Sequence, residues 1–544
     1  REKARPVLTS GLEVTGWEDA GDSGRPGLLA ADVDIPNTRQ FFVDGEMATR
    51  AKGRIPGGMN RAGEKKTYTT YNGNHDAYTG FLCSNTDILN WRNPSDIEFV
   101  WDISWAHRIS PIISITKQDD SHTFIEMEWD SFKTGQIAGG VQITREPDYA
   151  ENAYELLDEP GEWYFDRQEK RLYYMPKAGQ DMDKVQAIIP SVENLITVEG
   201  SLDEKAENIA FEGFTLEYNT WLYPSTKGWP EQQANFAHDP REEFNMHAYS
   251  LAPGAAVVTK MTKGITFDGC TFRNLGSAGI NMLEGSTENR VQNCVFKDIS
   301  AGGVLVGGVS ITDAHPLKPG DTIENHIANK TEHDERLIVK NNTITNNYFN
   351  GIGTEYKGSI GIVAGYTDGT VITNNTVRNV AYSGISVGWG WGFWDQGGRY
   401  KPDGTPDNET PAAYPRFPLG DAAVSRNNVI ENNDISQCMM KLHDGAGIYT
   451  LGDMPGSSIR ANLIHDNVGW PGGIYLDEGS GGMTVDENIT YNVQVDLNHN
   501  VREHTYGYKA DHFVDGGSNH YGVKPGSSSY PAELAARAGV QDVN

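Results

Sequence analysis

The chain has 544 residues and a formal charge of −29, with 45 Lys and Arg against 74 Asp and Glu. That balance, without a basic patch to track a phosphate backbone, argues against nucleic acid and anionic membrane as partners, and no apolar run is long enough to span a bilayer. The four cysteines, Cys83, Cys270, Cys294 and Cys438, are scattered without a CxxC pair, so buried free thiols are expected rather than a disulfide framework.

Residues 1–45 read as N-terminal strands that join the first coils of the repetitive region further on. They close on Arg39-Gln40-Phe41-Phe42-Val43 and an Asp44-Gly45 turn. Residues 46–190 are dense in aromatics and charges with strand-like alternation, as in Ile97–Ile103 and the hairpin-like pair Glu162–Asp166 and Arg171–Tyr174. With no long helical period, they read as a separate β-sandwich or barrel-like unit.

Residues 191–500 are repetitive. Phe211–Leu216, Phe267–Phe272, Val291–Phe296, Val339–Ile344, Ile372–Val377, Ile430–Ile435, Ile459–Ile464 and Val485–Thr490 align on a fourth position that reads Phe214, Cys270, Cys294, Asn342, Asn375, Asn433, Asn462, Asn488. A period in the twenties, with insertions between some copies, describes a solenoid in which each repeat is one coil. The five Asn are expected to stack at one corner, each amide satisfying its neighbours. A second strand follows each anchor: Ile280, Val304, Ile352 and Ile385 after ten residues, Ile474 after twelve and Ile448 after fifteen. The loops that have grown, together with insertions at 311–336 and 393–422, lie on one side, where solenoids usually bind ligands. Residues 501–544 read as a tail packed on the solenoid, with a short helix near Pro531–Ala538. The spacing of His504, His512 and His520 fits no metal pair. No metal site or other cofactor is expected, with a structural Ca²⁺ left open.

The phrase Gly-Ile-Tyr occurs at Gly447–Tyr449 and again at Gly473–Tyr475, followed by Asp477-Glu478. Strand alternation from an inward Ile474 points Tyr475 and Asp477 outward and stacks Tyr475 on Tyr449. Asp444 follows five extra residues, 439–443, that interrupt the coil, so it can project over the same face. Two carboxylates on one cleft are the minimum equipment for glycoside hydrolysis: about 5–5.5 Å apart for retention, about 6.5–9.5 Å for inversion. Asp453 is a geometric rival, although Asp453-Met-Pro-Gly reads as turn chemistry. In Gly388-Trp389-Gly390-Trp391-Gly392-Phe393-Trp394, the alternation leaves Trp389, Trp391 and Trp394 as candidate sugar platforms. His443, His465 and Trp470 lie in or beside the grown loops and are candidates for orienting substrate hydroxyls.

The phrases "SGISVGWGWG", "DGAGIYTLG", "IHDN" and "GGIYLDEGS" resemble right-handed parallel β-helix glycosidases around glycoside hydrolase family 141, whose activities include α-L-fucosidase and xylanase. "RQFFVDGEMATRAKG" and "LLDEPGEWYFDRQEKRLYYMP" resemble the β-sandwich that this family inserts near its first coils. The resemblance implies a pair of acidic residues, best matched by Asp444 and Asp477 with Glu478 in reserve. It also implies a secreted or periplasmic enzyme acting on plant or algal carbohydrate. A polysaccharide lyase and a non-catalytic carbohydrate-binding solenoid are the alternatives. A lyase needs a Lys or Arg base, and between 440 and 480 only Lys441 and Arg460 qualify. Sugar, linkage, stereochemical outcome and oligomeric state are left open.

Overall fold

The computed structural model describes residues 5–70, 73–240, 249–329, 331–392, 423–501 and 513–541. Three parallel sheets of ten, nine and nine strands wrap one core as a parallel β-helix. Its interior is built from residues that recur at equivalent positions, such as Phe272, Phe296 and Phe349, whose rings stack 4.5 Å apart.

Two adjacent positions at each corner divide the work. The residue before each anchor takes the left-handed conformation: Asn293, Asn346, Asn374, Asn432, Ala461 and Glu487 all have φ of 54–56°. The anchor itself carries the ladder. The Asn433 carboxamide oxygen accepts from both the backbone N and the Nδ2 of Asn375, each at 3.0 Å, while its own Nδ2 donates to the Ile372 carbonyl. The same contacts repeat from Asn433 to Asn462, Asn462 to Asn488 and Asn488 to Asn519.

Asn342 does not belong to this ladder. Ile344, not Val339, pairs with Ile372, so the rung below Asn375 is Asn347. Asn342 stands one corner earlier, accepting from the Asn289 backbone N at 3.0 Å. The stretch Asn341-Asn342-Thr343-Ile344-Thr345-Asn346-Asn347 holds two Asn-Asn pairs five residues apart, and the sequence alignment selected the wrong one. For the same reason Ile352 lies in the ten-stranded sheet opposite Ile299, and Ile362 is the residue that pairs with Val304 and Ile385. The repeat also runs past 500: Val514–Asp515 and His520–Tyr521 add strands to two of the sheets.

The chain's beginning enters the solenoid, with Val7–Thr9 pairing in parallel with Thr215–Glu217. The excursion that follows contains a seven-stranded sheet of antiparallel pairs, a five-stranded sheet and a four-stranded sheet. Against the expectation of strands alone, the seven-stranded sheet carries a helix, Trp129–Ile137, capped by the Glu128 carboxylate, which accepts from the backbone of Asp130 and Ser131. Phe132 from this helix fills a core with Phe81, Phe99 and Trp101. A buried ionic network joins the excursion to the β-helix: Arg39 pairs with Glu98, Glu151 and Glu355, and Arg50 with Glu98 and Glu151. All four cysteines are buried free thiols.

Candidate active site

The site lies on the nine-stranded sheet that contains Gly445–Leu451 and Pro471–Leu476. These strands pair in register, Tyr449 opposite Tyr475. Their rings meet edge-on at 83°, centroids 5.2 Å apart, rather than stacking.

Asp477 leaves the end of the second strand. It is only 7 % exposed, not projecting freely as alternation alone suggests. Tyr449 Oη donates to its Oδ2 at 2.5 Å and Asn500 Nδ2 to its Oδ1 at 2.6 Å, so its partners come from two neighbouring coils rather than its own turn. Behind Tyr449 stands Gln233, whose Nε2 donates at 3.0 Å to both Tyr449 Oη and Tyr382 Oη. Tyr382 in turn donates to the Asp444 carbonyl at 2.6 Å.

Asp444 reaches the same place by a different route. Met439 and Asp444 both adopt left-handed backbone, φ 61° and 62°, and redirect the extra residues out of the coil. The Asp444 backbone N donates to the Trp470 carbonyl at 3.1 Å, and the side chain is half-buried. Both acids act on Tyr475: burial first, then the charges of Asp477 and Asp444, push its phenol well above the ordinary tyrosine range. Burial, followed by Asp477, Tyr382 and Asp444, does the same to Tyr449.

Among the other candidates, Trp470 is 45 % exposed, its ring 6.0 Å from that of Tyr475. His443 is exposed, and its backbone N donates to the Ser104 carbonyl at 3.1 Å, so a turn of the excursion borders the site. Glu478 is half-buried beside Asp477. Gly479 has φ +75°, and a Cβ there would meet Gly392 N at 2.6 Å; the turn holding the half-buried Trp391 therefore packs on the Asp477-Glu478 turn. Trp389 is no platform: it is 1 % exposed, packed edge-on against Phe236 and Trp391. His465 stands on the ten-stranded sheet, paired with Asp434 and Asp466 and stacked on Tyr491, away from this group. Trp394 lies outside the described residues.

Sequence reasoning missed Gln233, Tyr382 and Asn500. Gln233 and Asn500 carry no motif, and each arrives from a segment outside the Gly-Ile-Tyr repeat. Tyr382 precedes Ser383-Gly384 in a quoted phrase's flank, and only the pairing of neighbouring coils gives it a partner.

Residues 29–177 match the model of the glycoside hydrolase family 141 insertion domain. A solved structure described as a glycoside hydrolase is similar over 98 % of this chain and 85 % of its own, at 26 % identity and a TM-score of 0.71. The complex of XylC with xylose (90 % and 66 % covered, 11 % identity, TM-score 0.36) and the GH136 lacto-N-biosidase from Eubacterium ramulus (58 % and 50 %, 13 %, 0.30) are too distant to inform the chemistry. Comparison with curated proteins finds no match. The protein is a glycoside hydrolase, and its residues 29–177 are similar to the insertion domain of family 141. Among the described residues, no helix is long and apolar enough to cross a membrane.

Proposed function

We propose that the enzyme hydrolyses neutral glycosidic linkages, a fucoside, xyloside or related bond, in plant or algal polysaccharides or their oligosaccharides. The observation that carries this reading is Asp477, buried at the end of its strand and held by Tyr449 and Asn500, with the charge of Asp444 acting on the same neighbouring Tyr475.

In this reading Asp477, held by Tyr449 and Asn500, is the nucleophile. Its carboxylate bonds to the anomeric carbon as the glycosidic C–O bond breaks, and Asp444 gives its proton to the leaving oxygen. Asp444 then takes a proton from water, which attacks the anomeric carbon and frees Asp477. Tyr475 stabilises charge as it passes between the acids, and Trp470 and Trp391 offer faces for the sugar. A polymeric substrate places the enzyme outside the cytoplasm, secreted or periplasmic.

The lyase alternative finds little support. Arg460 pairs with Glu487 at 2.8 Å on another sheet, and Lys441 is exposed, lying in the bulge before Asp444. The test is a panel of nitrophenyl glycosides and plant and algal oligosaccharides, read by chromatography, with the first-formed anomer read by NMR. Retained configuration in a released neutral sugar is expected. An inverted product would overturn the assignment of Asp477 as nucleophile, and unsaturated, ultraviolet-absorbing products would select the lyase.

A further inference from the structure

We propose that His315, His326 and His333 bind one late first-row divalent cation, zinc above all, and that this ion fastens the insertion that leaves the β-helix after Val304–Val306. The insertion has two short helices, Ile311–Ala314 and Ile323–Asn329. His315 caps the end of the first, His326 sits on the second, and His333 comes from the loop beyond. Nothing in their spacing of eleven and seven residues brings them together; the fold does.

One ligand nitrogen from each histidine lies within 4.8 Å of the other two, with ring centroids 5.2–5.4 Å apart. Tetrahedral zinc with Zn–N of about 2.0–2.1 Å needs nitrogens roughly 3.3–3.4 Å apart. His333 Nε2 and His315 Nδ1 are already 3.3 Å apart, so small ring rotations of His326 complete the face. The surroundings are those of a built site. His315 is 0 % and His326 3 % exposed. His326 Nδ1 contacts Thr331 Oγ1 at 2.8 Å, and that hydroxyl donates to Asp321 Oδ2 at 2.8 Å. The relay engages His326 Nδ1 and supplies a carboxylate one shell out, the usual support of a ligating imidazole. Three imidazoles suit zinc or its neighbours and not Ca²⁺, which takes oxygen ligands.

The carbonyl of Ala314, the residue before His315, accepts from the Val424 backbone N at 3.1 Å, so the ion would also steady the stretch that leads into the strand Val429–Glu431 of the β-helix.

The experiment uses the full chain without a polyhistidine tag, stripped with EDTA and dialysed. Elemental analysis before stripping should find about one equivalent of zinc or a neighbour. Added Co²⁺ should give the visible bands of a tetrahedral site at that stoichiometry, and Zn²⁺ should raise Tm while Ca²⁺ and Mg²⁺ do not. His333→Gln, the partly exposed ligand, should abolish the Co²⁺ bands, and Asp321→Asn should weaken Zn²⁺ binding by about 10–100-fold. A stripped chain that takes up no tetrahedral Co²⁺ overturns the proposal. So does a His333→Gln chain that binds Zn²⁺ as the unaltered one does. If that variant does not fold, the Co²⁺ spectrum and Zn²⁺-dependent Tm of the unaltered chain still decide.

Discussion

At Asp477 the catalytic and structural demands fall on the same atoms. Asp477→Asn keeps the size but presents an NH₂ group to a donor, either Tyr449 or Asn500. We expect kcat to fall by roughly 10³-fold or more, with a stability loss of about 1–3 kcal/mol from the mismatched donor. Asp444→Asn should cost a comparable factor in rate, and Glu478→Gln little. Steady-state kinetics on the three variants decide the pair: a Glu478→Gln enzyme as impaired as the Asp477 variant, with an active Asp444→Asn, would move the second role to Glu478. A different carboxyl governs pH. Burial pushes Glu231 from 4.5 up to about 8, against the backbone N–H groups of His107 and Asn235 that bond it. Between those values the folded chain keeps a proton that the unfolded chain has released, so stability should decline as pH rises through the window. Glu231→Gln should flatten Tm against pH from about 5 to 8; an unchanged slope would show that another group sets it.

Along the corner of the solenoid, each Asn is both donor and acceptor for its neighbours. Removing Asn433 leaves the backbone N of Asn375 and the Ile372 carbonyl without their buried partner, while Asn375 Nδ2 keeps the Ile344 carbonyl. Asn433→Ala should therefore destabilise by about 2–4 kcal/mol, several times one net hydrogen bond, because orphaned buried groups cost more than the bond contributes. Chemical unfolding measures it, and a loss under about 1 kcal/mol would mean that water replaces the rung. Single rungs matter because coils touch only their neighbours, so a fault at one stays local.

Over the whole molecule, the Arg39 network couples the excursion to the β-helix. Arg39 is fully buried, its guanidinium 2.5 Å from Glu98, 3.2 Å from Glu151 and 2.9 Å from Glu355. Removing it takes the arginine from Glu355 and leaves Glu98 and Glu151 with Arg50 alone, so Arg39→Met should cost about 3–5 kcal/mol and expose the excursion to limited proteolysis; a variant as resistant as the original would show that apolar packing alone holds the two together. Burial pushes Glu98 up, but Arg39 and Arg50 more than offset this and hold it well below the carboxylate range. This contribution is present above the ordinary value of 4.5 and lost as pH falls below it.

The recurrence of Asn, the Gly-Ile-Tyr repeat and the alternation of apolar residues by themselves determined a solenoid, because stacked coils must satisfy the same corner and the same core again and again. That logic reached Asn375, Asn433, Asn462 and Asn488, and it put Tyr449 beside Tyr475. It failed at Asn342, where two Asn-Asn pairs stand five residues apart and only strand pairing tells which turns which corner. It also failed at Trp389, since alternation with Gly does not say whether a ring faces solvent or Phe236. The burial of Asp477 under Tyr449 and Asn500, the approach of Gln233 and the meeting of three histidines were decided by tertiary structure alone. Each joins segments far apart in sequence, and residues that share no local period leave no pattern in the chain to read.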